Sequence, residues 1–358
     1  MDVPPAWVLH VDLDQFVAAV ELLRRPELAG VPVVVGGRGD PTERGVVSTA
    51  SYEARAYGVH SGMPLRTAAR KLPDAVFLPV DAPAYGAASD QVMAALRTLG
   101  AVVEVLGWDE AFLGAVTDDP EALARRAQDV VLGATRLHCS VGIGDNKVRA
   151  KIATTFGKPA GVFRLTEQNW FEVMGERPTI DLWGVGTKVS RRLHGLGVST
   201  VRELADAPEP DLVEEFGPRM GRWYHELGRG LGPTTVDDRP WVPRGHSRET
   251  TFQQNLTTRD QVMTAVHELV HHVVEDVEND GRPVVRVTLK VRYAPFETKV
   301  MNRKLPDATR DHAEIAAAVA ALADTVDDRE VRLLGVRAEM AMPDDADPSE
   351  RTPVRGRL

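Results

Sequence analysis

An apolar strand that ends in carboxylates is hard to place in any fold, and this chain has two of them. Residues 8–13 read Val-Leu-His-Val-Asp-Leu and pass through Asp14 into a helical pattern. A buried carboxylate is costly unless something cationic meets it. Asp12 or Asp14 at the changeover is therefore either a cation ligand or the cap of the following helix. Much later, a second apolar run stops at Trp108, Asp109 and Glu110 and resumes as Ala111, Phe112 and Leu113. Two acidic strand ends of this kind invite a metal site between them.

The pattern around them predicts how they meet. Apolar periodicity predicts helices at 16–23, 51–57, 64–72, 85–99, 122–137 and 146–156, with Pro26, Gly58 and Pro64 marking ends. Strands are expected at 31–35, 45–49, 76–80, 102–106, 111–116 and 138–143. From residue 76 the order is β-α-β-β-α-β. With the opening strand in the same sheet, this predicts an antiparallel, ferredoxin-like α+β layer with helices on one face. The two acidic ends then lie on adjacent central strands.

Basic and glycine-rich segments follow. Lys147 and Lys151 stand i,i+4 on a helix, which alone reads as a solvated basic face, and Lys158 lies in a Gly-Lys-Pro turn. Residues 180–198 carry Gly184 and Gly186, then Lys188 and a short helix. That is either a hairpin whose backbone amides meet a phosphate or a plain packing turn. Residues 228–244 are rich in proline and glycine and read as an interdomain linker. Beyond them the β-α-β-β-α-β order recurs at 245–342 without obvious sequence similarity. There Val285, Val287, Leu289 and Val291 alternate with Arg286, Thr288, Lys290 and Arg292. One face is apolar and the other basic; a sheet laid along phosphates explains this better than a solvated face, which would mix signs. Residues 343–358 read as a disordered tail.

Composition narrows the class. In 358 residues the single Cys139 excludes an internal disulfide framework and fits a reducing cytosol. There is no secretory pattern at the N-terminus and no apolar run near the roughly 20 residues of a membrane span. A net charge of −9 weighs against a nucleic-acid partner only if spread evenly, so the local basic patterns decide. Three acids on converging strand ends suit two Mg²⁺ ions, for which Mn²⁺ can substitute, and phosphoryl or nucleotidyl transfer.

Four blocks carry a family resemblance: Val-Asp-Leu-Asp-Gln-Phe at 11–16; Thr-Ala-Ser-Tyr-Glu-Ala-Arg at 49–55 with Gly58 and Gly-Met-Pro at 62–64; Asp-Glu-Ala-Phe-Leu at 109–113; and Val-Gly-Ile-Gly-Asp-Asn-Lys at 141–147 with Ala-Lys-Ile-Ala at 150–153. In order and spacing, over about residues 7–342, the chain resembles the Y-family DNA polymerases, in the DinB or polymerase IV branch. The resemblance implies a right-handed polymerase with a palm (1–15 and 80–165), small fingers (16–79), a helix-hairpin-helix thumb (166–231), a linker (232–243), a little finger (244–343) and a tail (344–358). It implies that Asp12 and Asp109 hold both metals, that Glu110 completes the site near the primer 3′-OH, and that the Leu13 carbonyl helps. Tyr52, Arg55 and Lys158, with Thr49 and the Phe16 and Val17 amides, would grip the incoming triphosphate. Gly184, Gly186, Lys188, Arg286, Lys290 and Arg292 would contact DNA.

Low-fidelity bypass of damaged template by a monomer in the bacterial cytoplasm, at the nucleoid, is the implied activity. Its partners are primer–template DNA and deoxynucleoside triphosphates. Departures matter too. The family usually has Tyr or Phe where this chain has Val17, a steric gate against the ribose 2′-OH, so ribonucleotides are expected to enter unless a neighbour refills the space. Gly107-Trp108 replaces the small hydroxyl and apolar pair before the acids. The tail lacks a clamp-docking peptide, so distributive synthesis is expected. Two rivals remain: a non-catalytic Y-family accessory protein, which would usually lose a metal carboxylate, and a nucleotidyl cyclase, which would not need the hairpin or the basic strand.

Overall fold

The computed structural model describes residues 6–343, so the tail and the clamp expectation attached to it lie outside the described residues. β1 (Ala6–Leu13) leads into α1 (Phe16–Arg24). A small unit follows: β2 (Val33–Val35), β3 (Thr49–Ala50), α2 (Tyr52–Arg55), α3 (Leu65–Lys71) and β4 (Val76–Leu78), with strand order β3-β2-β4. The strand expected at 45–49 is reduced to β3 and an isolated bridge from Val46 to Pro64.

Next come α4 (Ala82–Arg97), β5 (Val102–Val105), β6 (Glu110–Val116), α5 (Pro120–Thr135), β7 (Cys139–Gly144), α6 (Lys147–Gly157) and β8 (Val162–Leu165). Asp81, Asp119 and Asn146 cap α4, α5 and α6 with their side chains. Together with β1 these strands form a five-stranded sheet in the order β5-β6-β1-β7-β8. The strand expected at 76–80 is not part of it: β4 pairs in parallel with β2 in the small unit, so β1 takes the first place in this sheet's β-α-β-β-α-β order. Nor is the sheet wholly antiparallel, because β7 and β8 run parallel.

Alternation along β1 decides what each face meets. Leu9, Val11 and Leu13 pack with Tyr85, Val92 and Leu96 of α4 and Ala124, Ala127 and Val131 of α5 in the main core. Val8, His10 and Asp12 point the other way. The expectation of helices on one face fails here, because α6 packs on that second side: Val8 and Phe112 touch Ala150, and His10 bonds Thr154. Gly142 and Gly144 make this possible. A Cβ at Gly142 would meet the Ala150 carbonyl oxygen at 2.0 Å, and one at Gly144 the Ala150 nitrogen at 2.4 Å. The helix sits where only glycine lets it.

A helical region follows, with α7 (Trp170–Met174), α8 (Thr187–Gly195), α9 (Val201–Asp206), α10 (Glu209–Phe216) and α11 (Pro218–Gly228). The segment before the Gly-x-Gly turn is a single 3₁₀ turn, Thr179–Asp181, and Gly184 takes the left-handed conformation at φ +90°. The linker has no helix or strand, yet it is pinned to the five-stranded sheet rather than loose. Val236 covers Gly114, the Asp237 amide donates to Glu104 at 2.8 Å, and Lys147 N donates to the Pro233 carbonyl at 2.8 Å.

The last unit is β9 (Gly245–Leu256), α12 (Arg259–Asp280), β10 (Val284–Tyr293), β11 (Thr298–Thr309), α13 (His312–Ala323) and β12 (Val331–Met340), with sheet order β11-β10-β12-β9. Here both helices cover one face, over Val287, Leu289 and Val291. No helix among the described residues is long and apolar enough to cross a membrane.

Candidate active site

The two acidic strand ends meet edge to edge. β1 and β6 are antiparallel neighbours, Asp12 is the cross-strand partner of Glu110, and Leu13 N donates to the Asp109 carbonyl at 2.8 Å. The tightest set of ligand atoms is His10, Asp12 and Glu110, all within 4.8 Å of one another. Asp109 lies outside that set but close enough to feel it: burial, then the charges of Asp12 and Glu110, push its carboxyl up to about 6. A surplus of half-buried negative charge of this kind is what a divalent cation relieves.

The oxygens are unequally occupied. Lys158, the C-cap of α6, pairs with Asp12, and Lys151 pairs with Glu110. His10 Nε2 lies 3.0 Å from Glu110 Oε2, and its Nδ1 lies 2.8 Å from Thr154 Oγ1. Burial and then the Lys151 charge lower the imidazole's pKa, which favours the neutral ring, and Lys151 Nζ also lies 3.1 Å from Nε2. Burial alone would raise Glu110, but the His10 hydrogen bond and the Lys151 charge bring it down to about 2. With both ring nitrogens engaged, what remains for a cation is carboxylate oxygen, a hard donor set that fits Mg²⁺ or Mn²⁺.

Lys147 and Lys151 are therefore not a solvated basic face. Lys147 is buried and bonds Glu104 at 2.5 Å, and Lys151 lies over the Trp183 ring at 5.4 Å. Spacing alone could not show that this face of α6 turns toward the sheet.

Asp14 does not cap α1 either. The N-cap is Gln15, in the left-handed conformation at φ 45° and with no side-chain cap bond. Buried Asp14 instead accepts from Tyr52 Oη at 2.9 Å, Ser140 Oγ at 2.9 Å and Ala160 N at 2.7 Å. It thereby ties β1 to α2, to β7 and to the turn carrying Lys158. Burial and this bond raise the Tyr52 pKa, keeping the phenol protonated. Arg55 donates from Nε to the Ala50 carbonyl at 2.9 Å and stacks 5.2 Å from the Tyr52 ring centre, with its outer nitrogens unbonded among the described residues. Phe16 and Val17 open α1, where first-turn amides have no intrahelical partner. Val17 is half-buried, and Thr49 opens β3, just before α2.

Farther out, Gly184, Gly186 and Lys188 are exposed at the start of α8. Arg286, Lys290 and Arg292 lie on the uncovered face of the four-stranded sheet, joined across the strands by Lys304 and Arg337. The face does mix signs: Lys290 bonds Glu249 at 2.6 Å and Arg286 lies 3.5 Å from Glu339. Five cations still outnumber those two carboxylates. Reading one strand at a time hid the acids on its neighbours.

His10 and Lys151 were missed as partners of Glu110. The available signal for His10 was a lone polar residue two places before Asp12, hence on the same face of an otherwise apolar strand.

Comparison with known proteins agrees with this geometry. The impB/mucB/samB family matches residues 11–155, its C-terminal domain matches 243–350, and the thumb domain of DNA polymerase-iota matches 180–232. DNA polymerase IV 2 of Mycobacterium tuberculosis is 52% identical over 342 residues, 94% of this chain and 99% of the relative. Among solved structures, a chimera of the Y-family polymerases Dbh and Dpo4 superposes with a TM-score of 0.82 at 26% identity, covering 93% of this chain and 98% of that one. An insertion ternary complex of Dbh DNA polymerase, with the same identity and coverage, gives 0.64. A five-stranded palm bearing paired acids, a helical thumb and a second β-α-β-β-α-β unit thus coincide with family identity along nearly the whole chain, which belongs to the Y-family DNA polymerases as a DNA-directed DNA polymerase of the DinB type.

Proposed function

We propose that this chain carries out low-fidelity, template-directed synthesis past damaged DNA in the cytoplasm. Two divalent cations would be held by Asp12, Asp109, Glu110 and the Leu13 carbonyl. The observation that carries this reading is the direct cross-strand pairing of Asp12 with Glu110 beside a half-buried Asp109 whose carboxyl is pushed up to about 6. When bound, such cations lower the pKa of an attacking 3′-hydroxyl and neutralise the departing pyrophosphate.

The remaining roles fall to the chain itself. Arg55 has the planar fork suited to phosphate, Tyr52 would turn its protonated hydroxyl from Asp14 to the phosphates, and the α1 amides and Thr49 would complete the cradle for the triphosphate. Lys158, now paired with Asp12, would swing to the triphosphate as its charge is needed there. Gly184, Gly186 and Lys188 would hold one backbone of the primer–template duplex. Arg286, Lys290 and Arg292 would hold it from the other side, as phosphate contacts that position without reading sequence.

Val17 extends the reading to sugar choice. Its small side chain opens α1 beside the triphosphate cradle, so we assign weak rejection of ribonucleotides to this position. Primer extension with each deoxy- and ribonucleoside triphosphate, under Mg²⁺ and Mn²⁺, tests both parts. The expected result is metal-dependent extension with both sugars, and a roughly hundredfold fall in the ribo-to-deoxy efficiency ratio in Val17→Tyr. No extension under either metal would favour an accessory protein that only binds DNA. Equal rejection of ribonucleotides by both proteins would remove the sugar assignment alone.

A further inference from the structure

Glu110 is held by one oxygen only. Lys151 Nζ and His10 Nε2 both converge on Oε2, the latter at 3.0 Å, while Oε1 carries no hydrogen bond among the described residues. The geometry points to His10 and Lys151 as positioning residues that lock the Glu110 carboxylate in one orientation and leave Oε1 for a cation. This rests on reading Glu110 as part of the metal-binding set.

The lock is itself locked. Thr154 Oγ1 and His10 Nδ1 share a hydrogen bond at 2.8 Å, which fixes the ring plane and keeps Nε2 aimed at Lys151 and Glu110. Thr154 can reach β1 only because Gly142 lets α6 approach. The imidazole meets the Phe112 ring edge-on at 5.0 Å, and Phe112 meets Trp183 at 6.5 Å. That indole, carried on the thumb side of the chain, covers Lys151 at 5.4 Å. His10 is 1% exposed, so it has no other partner to seek. A glutamate has three side-chain torsions to freeze, and freezing them in advance removes that entropy cost from metal binding. Outer partners of this kind are worth about 10–100-fold in metal affinity or activity.

Four variants of the full-length protein test the inference: His10→Phe, His10→Gln, Lys151→Met and Glu110→Ala. Each is measured by single-turnover insertion on a primed template with nucleotide and metal titrated separately. Mn²⁺ binding to the protein–DNA complex is read by electron paramagnetic resonance. His10→Phe should lower the maximal insertion rate about 10–100-fold and weaken Mn²⁺ about tenfold, without moving half-saturation by nucleotide. His10→Gln, whose amide can both donate and accept near the place of Nε2, should recover most of both. Lys151→Met removes a positive charge, which alone would tighten Mn²⁺, so a rate loss of about tenfold at saturating Mn²⁺ marks positioning. Lys151 is partly exposed, and its variant keeps the test decisive if His10→Phe fails to fold.

Wild-type rate and Mn²⁺ affinity in Lys151→Met and His10→Phe, or a His10→Gln as impaired as His10→Phe, would overturn the inference. If Glu110→Ala is impaired while the others are not, positioning alone falls. If Glu110→Ala also behaves as wild type, the metal-site reading falls with it.

Discussion

The palm and the little finger use the same β-α-β-β-α-β order for opposite ends. In the little finger both helices cover one face and leave the other open, cationic and wet. In the palm a third helix, α6, closes the second face, and the carboxylates sit under it with lysines from the same helix against them. The difference comes down to a few residues. Gly142 and Gly144 admit α6 to the palm sheet, while nothing comparable draws a helix onto Arg286, Lys290 and Arg292. On the proposed reading, one sheet concentrates charge in a partly desolvated site, and the other would lie along a charged polymer.

Variants that separate the two roles can break this comparison. The largest effect is expected from Asp12→Ala, which removes a proposed ligand of both cations: loss of several kcal/mol of transition-state stabilisation, about a thousandfold in insertion rate, with DNA affinity kept. Lys158→Ala should raise half-saturation by nucleotide roughly tenfold or more, as one charge-assisted phosphate contact is lost. On the open sheet, Arg292→Ala should weaken DNA binding alike on all sequences and reduce the slope of log affinity against log salt by about one.

Stability should differ in the same sense. Gly142→Ala drives a Cβ into the Ala150 carbonyl and should cost about 3 kcal/mol in urea denaturation. Gly335→Ala meets only the movable Glu249 side chain, at 3.3 Å, and should be neutral or stabilising by up to about 1 kcal/mol.

The smallest effect is an acid sensitivity confined to the little finger. Asp280 accepts from Arg282 Nε at 2.6 Å and from His246 Nε2 at 2.9 Å, contacts that hold its carboxyl well below the usual carboxylate range. A depressed folded pKa gives support that is present above about pH 4 and lost as pH falls further. Asp280→Asn should remove that part of the acid dependence, read by circular dichroism between about pH 5 and 2.

Much of this was legible in the sequence because strand ends and periodicity are local. The alternation that makes Asp12 a same-face neighbour of His10, and the acids that interrupt β6, can be read directly from residue order. What could not be read was what lies across from each residue. Lys151 looked solvated because nothing in its own helix says that this face meets Glu110. The basic strand looked uniform because Glu249 and Glu339 come from other strands. For Asp14 the residue order left a structural and a capping role open, and its three hydrogen-bond partners, 38 to 146 residues away, decide for the structural one. The linker looked loose because its anchors, Glu104 and Gly114, belong to the palm.

The division of labour between the two sheets is tested most directly by one paired measurement. Asp109→Asn and a triple Arg286→Ala, Lys290→Ala, Arg292→Ala variant are compared for DNA affinity and for insertion rate at saturating DNA. The palm variant should bind DNA as wild type and insert about a thousandfold more slowly. The little-finger variant should bind more weakly, with a shallower salt dependence, and insert at the wild-type rate once DNA is saturating. Two variants that lose rate and affinity in equal measure would contradict the account.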